Sequence, residues 1–394
     1  MRVLVLGASG FIGSHAAAAL RAAGHDTLAA KTDFTRALRA EDWLPALHEV
    51  DAVLNAVGII RERGRRSFNT LHYAAPRALF DACKLAGVRR VVQISALGAD
   101  ESARSGFHRT KRRADEYLAG LDLDWAIVQP SIVFGEGGGS ARLFALLAAL
   151  PITPVPGDGR QSVQPIHIDD LVEALVKLVG VPTKIRLHAV GPRAITLREW
   201  LRLLRAQMGL GRARFVQVPL WLVPVERETL QMLQRGNTAS AQTIAQLLRR
   251  APRDPNDFLD ARSRAAFAVQ ARLDWLLPLL RFSLGAVWIV SGVVSLGFYP
   301  IEESLAMLQR VGLTGTAALT ALYSAAALDI VLGIATLRTN RTGLWRAQIA
   351  LIVAYTAIIS AFLPELWLHP FGPVLKNLPM LAALIVLHEL APRR

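Results

Sequence analysis

The sequence predicts an α/β domain with a doubly wound parallel sheet, followed by an all-α domain of four membrane-spanning helices. Three observations carry this. A β-branched apolar run at 2–6 ends in a glycine turn and an alanine-rich stretch; strand-like and helix-like runs then alternate; and beyond about residue 276 long apolar runs take over. At 394 residues the chain exceeds the roughly 100–200 residues of one domain. A hydrophobic content of 52% beside 19% charged residues is partitioned between its two parts. The expected division is a nucleotide-binding domain over 1–262, a linker over 263–275 that overlaps the charged, proline-bearing stretch 249–272, and a membrane domain over 276–394.

The net charge is +14, and 37 of the 45 Lys and Arg residues precede residue 276, against 26 of the 31 Asp and Glu. An anionic inner leaflet beside the front domain accounts for that excess. Basic stripes with interleaved aromatics, the mark of a nucleic-acid surface, do not occur, so no nucleic acid is expected. The single cysteine, Cys83, gives no disulfide framework or CxxC metal pair. The apolar run before Gly7 is too short for a signal segment, which places the front domain in the cytoplasm.

Strand, glycine turn and helix follow one another at the N-terminus. Gly7, Ala8, Ser9, Gly10, Phe11, Ile12 and Gly13 form the turn: Gly7 for its tightness, Gly10 for approach of a pyrophosphate, Gly13 for close helix packing, with free helix N–H groups aimed at the anion. Further strands are expected at 25–30, 52–57, 90–95 and 125–129, with helices at 70–86 and 110–118. Alternation of this kind gives a parallel sheet whose ligand lies at the carboxyl ends of its strands. That rim collects Asn55, Ala56, Val57 and Gly58; Ser95; and Pro130, Ser131 and Val133. Lys31, after the second strand, is the residue expected to favour NADP over NAD. The second-to-third strand interval is short, and 33–36 is read as the end of an early third strand.

With the glycine turn, Asn55 to Gly58, Ile94-Ser95-Ala96-Leu97-Gly98-Ala99, Thr110-Lys111, Pro130-Ser131-Ile132-Val133-Phe134-Gly135 and Gln164-Pro165-Ile166-His167-Ile168-Asp169-Asp170, the first 190 residues resemble the atypical short-chain dehydrogenases, in the branch of the nucleotide-binding accessory subunit of respiratory complex I. The resemblance implies a Rossmann domain that binds NAD or NADP. In that family a tyrosine four residues before a lysine is the proton donor. Here Ser95 and Lys111 stand at catalytic positions, with Lys111 on the nicotinamide ribose or as a solvated helix charge, but the tyrosine is Phe107. A phenyl ring has no proton to transfer, a loss of roughly 10²–10⁴-fold in such steps. His108 is left as a substitute donor or a surface residue. His167, Asp169 and Asp170 are read as caps of the following helix, with Asp170 as N-cap, rather than as a metal site, so no metal is expected. Residues 151–159 read as a loop on the substrate side.

Runs at 276–298, 316–337 and 344–363, with a shorter one at 374–390, are long enough to cross a bilayer. Arg338, Arg341 and Arg346 between the second and third, and Arg393-Arg394 at the end, put those sides and the front domain in the cytoplasm, at an inner membrane. Arg281, Trp288, Ser291, Gly292, Asp329, Gly333, His369-Pro370-Phe371-Gly372-Pro373 and Lys376-Asn377-Leu378-Pro379 resemble the DoxX-like family, some of whose members are linked to quinone oxidoreduction. Asp329 inside the second run calls for a partner from Lys376, His388 or Arg281. Two readings stay open: an NAD(P)H-dependent oxidoreductase acting on a lipophilic substrate such as a quinone, or a non-catalytic NAD(P)H-binding module associated with a respiratory membrane complex.

Overall fold

A computed structural model describes residues 1–30, 32–222, 232–370 and 372–392. The chain divides into two compact units, Met1–Ala271 and Arg272–Arg394. Lys31, Phe371, Arg393 and Arg394, singled out in the sequence, lie outside the described residues.

In the first unit six parallel strands form one sheet: β1 (Arg2–Leu6), β2 (Asp26–Ala29), β3 (Ala52–Asn55), β4 (Arg90–Ile94), β5 (Asp124–Pro130) and β6 (Ile185–Ala189), in spatial order β6-β5-β4-β3-β1-β2. The order reverses at β1, which opens a cleft at the carboxyl ends of β1 and β3. The central strands read as unbroken apolar runs because both faces are covered. Every residue of β3 and β4 is buried. On one face lie α1 (Phe11–Ala22) and α5 (Ile168–Gly180). On the other lie α2 (Ala75–Leu85), entered through a π turn at Asn69–Ala74, and α3 (Gly106–Ala119).

The sequence misreads two segments here. Residues 33–36 form a turn, not a strand end: the third strand is Ala52–Asn55, and the crossover before it holds only the short 3-10 turns Ala40–Asp42 and Leu44–Leu47. Asp33 folds this turn locally by accepting from the amide and hydroxyl of Thr35. Within 151–159, Thr153–Pro156 is a strand, because it finds a distant partner in Phe215–Val218. The described residues of this unit also form the helices α4 (Gly139–Ala149), α6 (Leu197–Gln207) and α7 (Gln242–Leu248).

The stretch expected as a linker is helical from Ser263 onward, in α8 (Ser263–Val293). Asp260 starts it by accepting from the amide of Ser263 at 2.7 Å, and Phe267 stacks on Phe134 at 5.8 Å. A helix former is thus fixed at its first turn instead of left as open chain.

The second unit is helical: the rest of α8, α9 (Ile301–Arg310), α10 (Gly315–Arg338), α11 (Thr342–Phe362) and α12 (Asn377–Glu389). Three helices, Ser263–Phe298, Gly315–Arg338 and Thr342–Phe362, are long and apolar enough to cross a membrane. The expected fourth run is shorter in the structure: α12 has 13 residues, about 20 Å of helix against a core of about 30 Å. Small residues bring α8 and α10 together. A Cβ on Gly333 would lie 2.5 Å from Ile289 Cγ1 and 2.8 Å from the Gly285 carbonyl oxygen, and one on Gly292 would lie 2.5 Å from the Ala326 oxygen. Trp288 Nε1 donates to Gln348 Oε1 and Gln348 Nε2 to Thr336 Oγ1, both at 2.8 Å, so one buried polar chain links three helices.

Arg281 does not reach Asp329. It donates to the carbonyls of Thr336, Leu337 and Thr339 at the end of α10, seven residues, or about 10 Å of helix, from Asp329. Lys376 is exposed. Asp329 makes no ion pair among the described residues, and its Oδ1 is buried without a hydrogen-bond partner.

Replacing Gly333 by Leu should force α8 and α10 apart and lower stability by about 1–3 kcal/mol, whereas Gly343→Ala, where an added Cβ meets open space, should be neutral. Thermal unfolding in detergent compares the two.

Candidate functional site

The cleft begins with a crowded turn. Gly7 has φ +75°, a conformation open to glycine. A Cβ on Gly7 would lie 3.0 Å from the Ala56 carbonyl group, and one on Gly13 only 2.1 Å from the Gly7 oxygen. Helix α1 and the end of β3 are therefore pressed onto one turn. Gly10 is its N-cap and gives no side chain to the first amides, so those N–H groups, in the turn with Ala8, Ser9, Phe11 and Ile12, are left for an acceptor.

Beside it stand Asn55 to Gly58. Asn55 is fully buried, donating to Gln93 Oε1 at 2.8 Å and accepting from the amide of Val57 at 3.2 Å. His72 holds the next residues: its Nε2 accepts from the amide of Ile59 at 3.0 Å, and its Nδ1 lies 3.3 Å from Thr110 Oγ1. Burial, then the Lys111 ammonium, pushes His72 down to about 2. It stays neutral and positions the loop.

Lys111 is buried, not a solvated helix charge. Its Nζ donates to the Ile94 carbonyl at 3.0 Å and lies 3.5 Å from where a Cβ on Gly58 would be. Burial pulls it down to about 8. One turn on, Asp115 is completely buried and accepts from Ser95 Oγ at 2.5 Å and Gln129 Nε2 at 3.3 Å. Burial raises Asp115 to about 6. Ser95 therefore commits its hydroxyl hydrogen bond to Asp115 beneath α3. Ser131 likewise donates to the Gln164 carbonyl at 2.5 Å. Pro130 closes β5 and Val133 lies buried just beyond it.

Phe107 meets His72 edge-on at 5.2 Å and Phe68 at 5.9 Å, with Lys111 Nζ 5.7 Å from its ring centre. His108 is buried, not at the surface: its Nδ1 lies 3.1 Å from Ser105 Oγ, which caps α3. Burial, then Arg235, lowers it to about 4, so it carries no imidazolium proton at neutral pH. At α5 the N-cap is His167, accepting from the amide of Asp169, and Asp170 falls in the first turn. Asp170 is turned instead to Arg250 at 2.7 Å and the amide of Arg253. Arg253 also pairs with Asp169 at 3.1 Å, so cations of the chain itself meet both carboxylates.

Residues 3–187 match the NAD dependent epimerase/dehydratase family, and residues 285–385 the DoxX-like family. Over 244 residues the chain is 30% identical to a 3-diazoavenalumate denitrifying reductase of a Streptomyces species, covering 51% of this chain and 79% of that protein. The chain belongs to the NAD dependent epimerase/dehydratase family. A ceramide reductase of Caulobacter vibrioides is 28% identical over 237 residues, covering 55% of this chain and 73% of that one. Mouse NADH dehydrogenase [ubiquinone] 1 alpha subcomplex subunit 9 is 25% identical over 178 residues, 44% of this chain and 46% of that protein, in line with the resemblance to complex I. The fold is shared with the UDP-glucuronic acid 4-epimerase of Bacillus cereus, at TM-score 0.54 and 18% identity over 70% of this chain and all of that one.

The turn's first helical amides are free to meet an anion, and among the described residues the buried Lys111 ammonium has one hydrogen-bond acceptor for its three N–H donors. Sequence reasoning put Gln129 on the rim with Pro130 and Ser131 but missed His72, Gln93 and Asp115. Only Asp115 leaves a trace, four residues after Lys111 and so on the same helix face.

Gly13→Ala should drive α1 off the turn, abolishing dinucleotide binding and costing about 1–3 kcal/mol; Gly139→Ala, in open space, is the control, with intrinsic fluorescence titration and thermal unfolding as readouts. Asp115 also sets a pH signature. Its folded value of about 6 exceeds the ordinary 3.8, so its contribution to stability is full below about pH 4 and is lost as pH rises through 6. Lys111 acts in the opposite window: the cost of its buried ammonium is relieved between about 8 and its ordinary 10.5. Asp115→Asn should flatten the fall in Tm between pH 4 and 6 while leaving the alkaline limb in place.

Proposed function

We propose that the chain is a membrane-held, NAD(P)H-binding oxidoreductase acting on a lipophilic substrate. The buried Lys111 ammonium at the edge of an intact glycine turn carries this reading. Two relatives are named as reductases, one of ceramide, and a chain with three apolar helices has its substrate pool in the bilayer. Nicotinamide dinucleotide, when bound, supplies a hydride. The pyrophosphate belongs on residues 7–13, the adenosine side against Asn55, Ala56, Val57 and Gly58, the ribose on Lys111, and the nicotinamide end near Ser95, Pro130, Ser131 and Val133. Lys31 supports NADP. With Phe107 at the tyrosine position, Lys111 is the rim group holding a proton near neutral pH. A quinone is one substrate of the proposed class, and Asp329 is a polar group for quinone or proton handling within the membrane unit itself.

By the positive-inside rule the connection at Arg338 and Arg341 is cytoplasmic, on the same side as the first unit. Return of the C-terminus to that side requires α12 to complete a fourth pass.

Phe107 favours a second reading, a non-catalytic NAD(P)H-binding module for a respiratory membrane assembly. Purified full chain is titrated with NADH and NADPH and then offered quinones and long-chain aldehydes. Binding with acceptor-dependent oxidation supports the enzyme; binding without turnover of any acceptor supports the module. Lys111→Ala should weaken binding about 10- to 100-fold, as loss of a charged hydrogen bond does. Phe107→Tyr should raise turnover by up to roughly 10²-fold; no gain removes the proton-donor argument.

A further inference from the structure

The small sheet of Thr153–Pro156 and Phe215–Val218 pairs in parallel, Pro154 beside Val216 and Pro156 beside Val218. Side chains alternate along each strand, so Pro154, Pro156, Val216 and Val218 share one face, continued by Ile152 before the first strand. Thr153 and Val155, on the other face, are buried. The apolar set looks outward, with Ile152 56% and Val216 49% exposed. The chain then runs into the turn Leu220–Leu222, where Trp221 is 81% and Leu222 53% exposed. An unbroken apolar face on a folded domain marks an interaction surface.

Its rim is cationic. Arg212 and Arg214 lead into the second strand, both exposed and in no ion pair among the described residues. Arg198 and Arg202 stack on Phe215 at 4.9 and 5.5 Å, on the opposite face of the sheet, so the cations of the apolar face are Arg212 and Arg214. Exposed tryptophan and aliphatic side chains beside arginines suit the headgroup layer of an anionic bilayer, where rings enter the interface and guanidiniums meet phosphates. The chain carries its own apolar helices, so a bilayer is always within reach.

We propose that this face, formed by Ile152, Val216, Trp221 and Leu222 with Arg212 and Arg214, is a docking surface for anionic phospholipid. It is independent of the cofactor cleft and of any catalysis there.

Cys83 is fully buried, so an environment-sensitive label on Leu222→Cys reports on this face in the full chain. Ile60→Cys, at a position 73% exposed, serves as control. On transfer from detergent to vesicles of phosphatidylglycerol and phosphatidylcholine, quenching by aqueous iodide should fall several-fold at 222 and stay unchanged at 60. The double variant Arg212→Glu/Arg214→Glu should restore most of the quenching. A label at 222 as open to iodide in vesicles as in detergent overturns the proposal. So does shielding that is equal on phosphatidylcholine alone and survives the arginine reversal. Shielding that appears in detergent and grows with protein concentration assigns the face to a second copy of the chain instead.

Discussion

Everything about the cleft depends on how closely three backbone segments approach at the first turn. With 2.1 Å between the Gly7 oxygen and a Cβ at position 13, and 3.0 Å between a Cβ on Gly7 and the Ala56 carbonyl group, no larger side chain fits at either glycine without moving the backbone. The approach brings the free amides of α1 level with the ends of β1 and β3. An anion placed there meets N–H groups and the positive end of a helix dipole together, at no cost of rearrangement.

Under that rim lies a polar layer that an apolar sheet rarely tolerates. Asn55, Gln93, Gln129, Ser95, Asp115 and Lys111 are all nearly or fully buried, and each hydrogen-bonds within the layer or to the backbone. Unpaired polar groups at such depth would each cost a few kcal/mol, so these hydrogen bonds fix α3 against the sheet, while Asp115 Oδ1 is buried without a hydrogen-bond partner among the described residues. It also decides what the cleft offers chemically. Ser95, His72 and His108 have their hydrogen bonds turned inward, and Lys111 holds titratable protons at the rim near neutrality. That is a binding arrangement first, and the phenyl ring of Phe107 beside it keeps the proton-transfer position apolar.

In the helical unit the same logic runs with fewer polar groups. Gly285, Gly292 and Gly333 let α8 and α10 touch, and the Trp288–Gln348–Thr336 chain ties α11 to both. Close packing and shared hydrogen bonds hold helices together where apolar surroundings give no hydrophobic drive. Asp329 stands outside this satisfied network.

The sequence by itself determined the strand, turn and helix at the N-terminus, the parallel α/β class and the apolar second domain, because these are written in local periodicity and in glycine spacing; that Phe107 stands where a tyrosine is expected is what the family resemblance implies. The sequence named Ser95 and Lys111 as site residues but could not say where their polar atoms point. Tertiary structure decided that: Ser95 faces Asp115, His108 is buried against Ser105, His167 and not Asp170 caps α5, and Arg281 meets carbonyls rather than Asp329. Each of these depends on a partner brought from another turn or element, and hydrogen-bond direction is set by three-dimensional neighbours. The strand at Thr153–Pro156 has the same cause, since its partner lies about sixty residues away and proline-rich local sequence gives no sign of it.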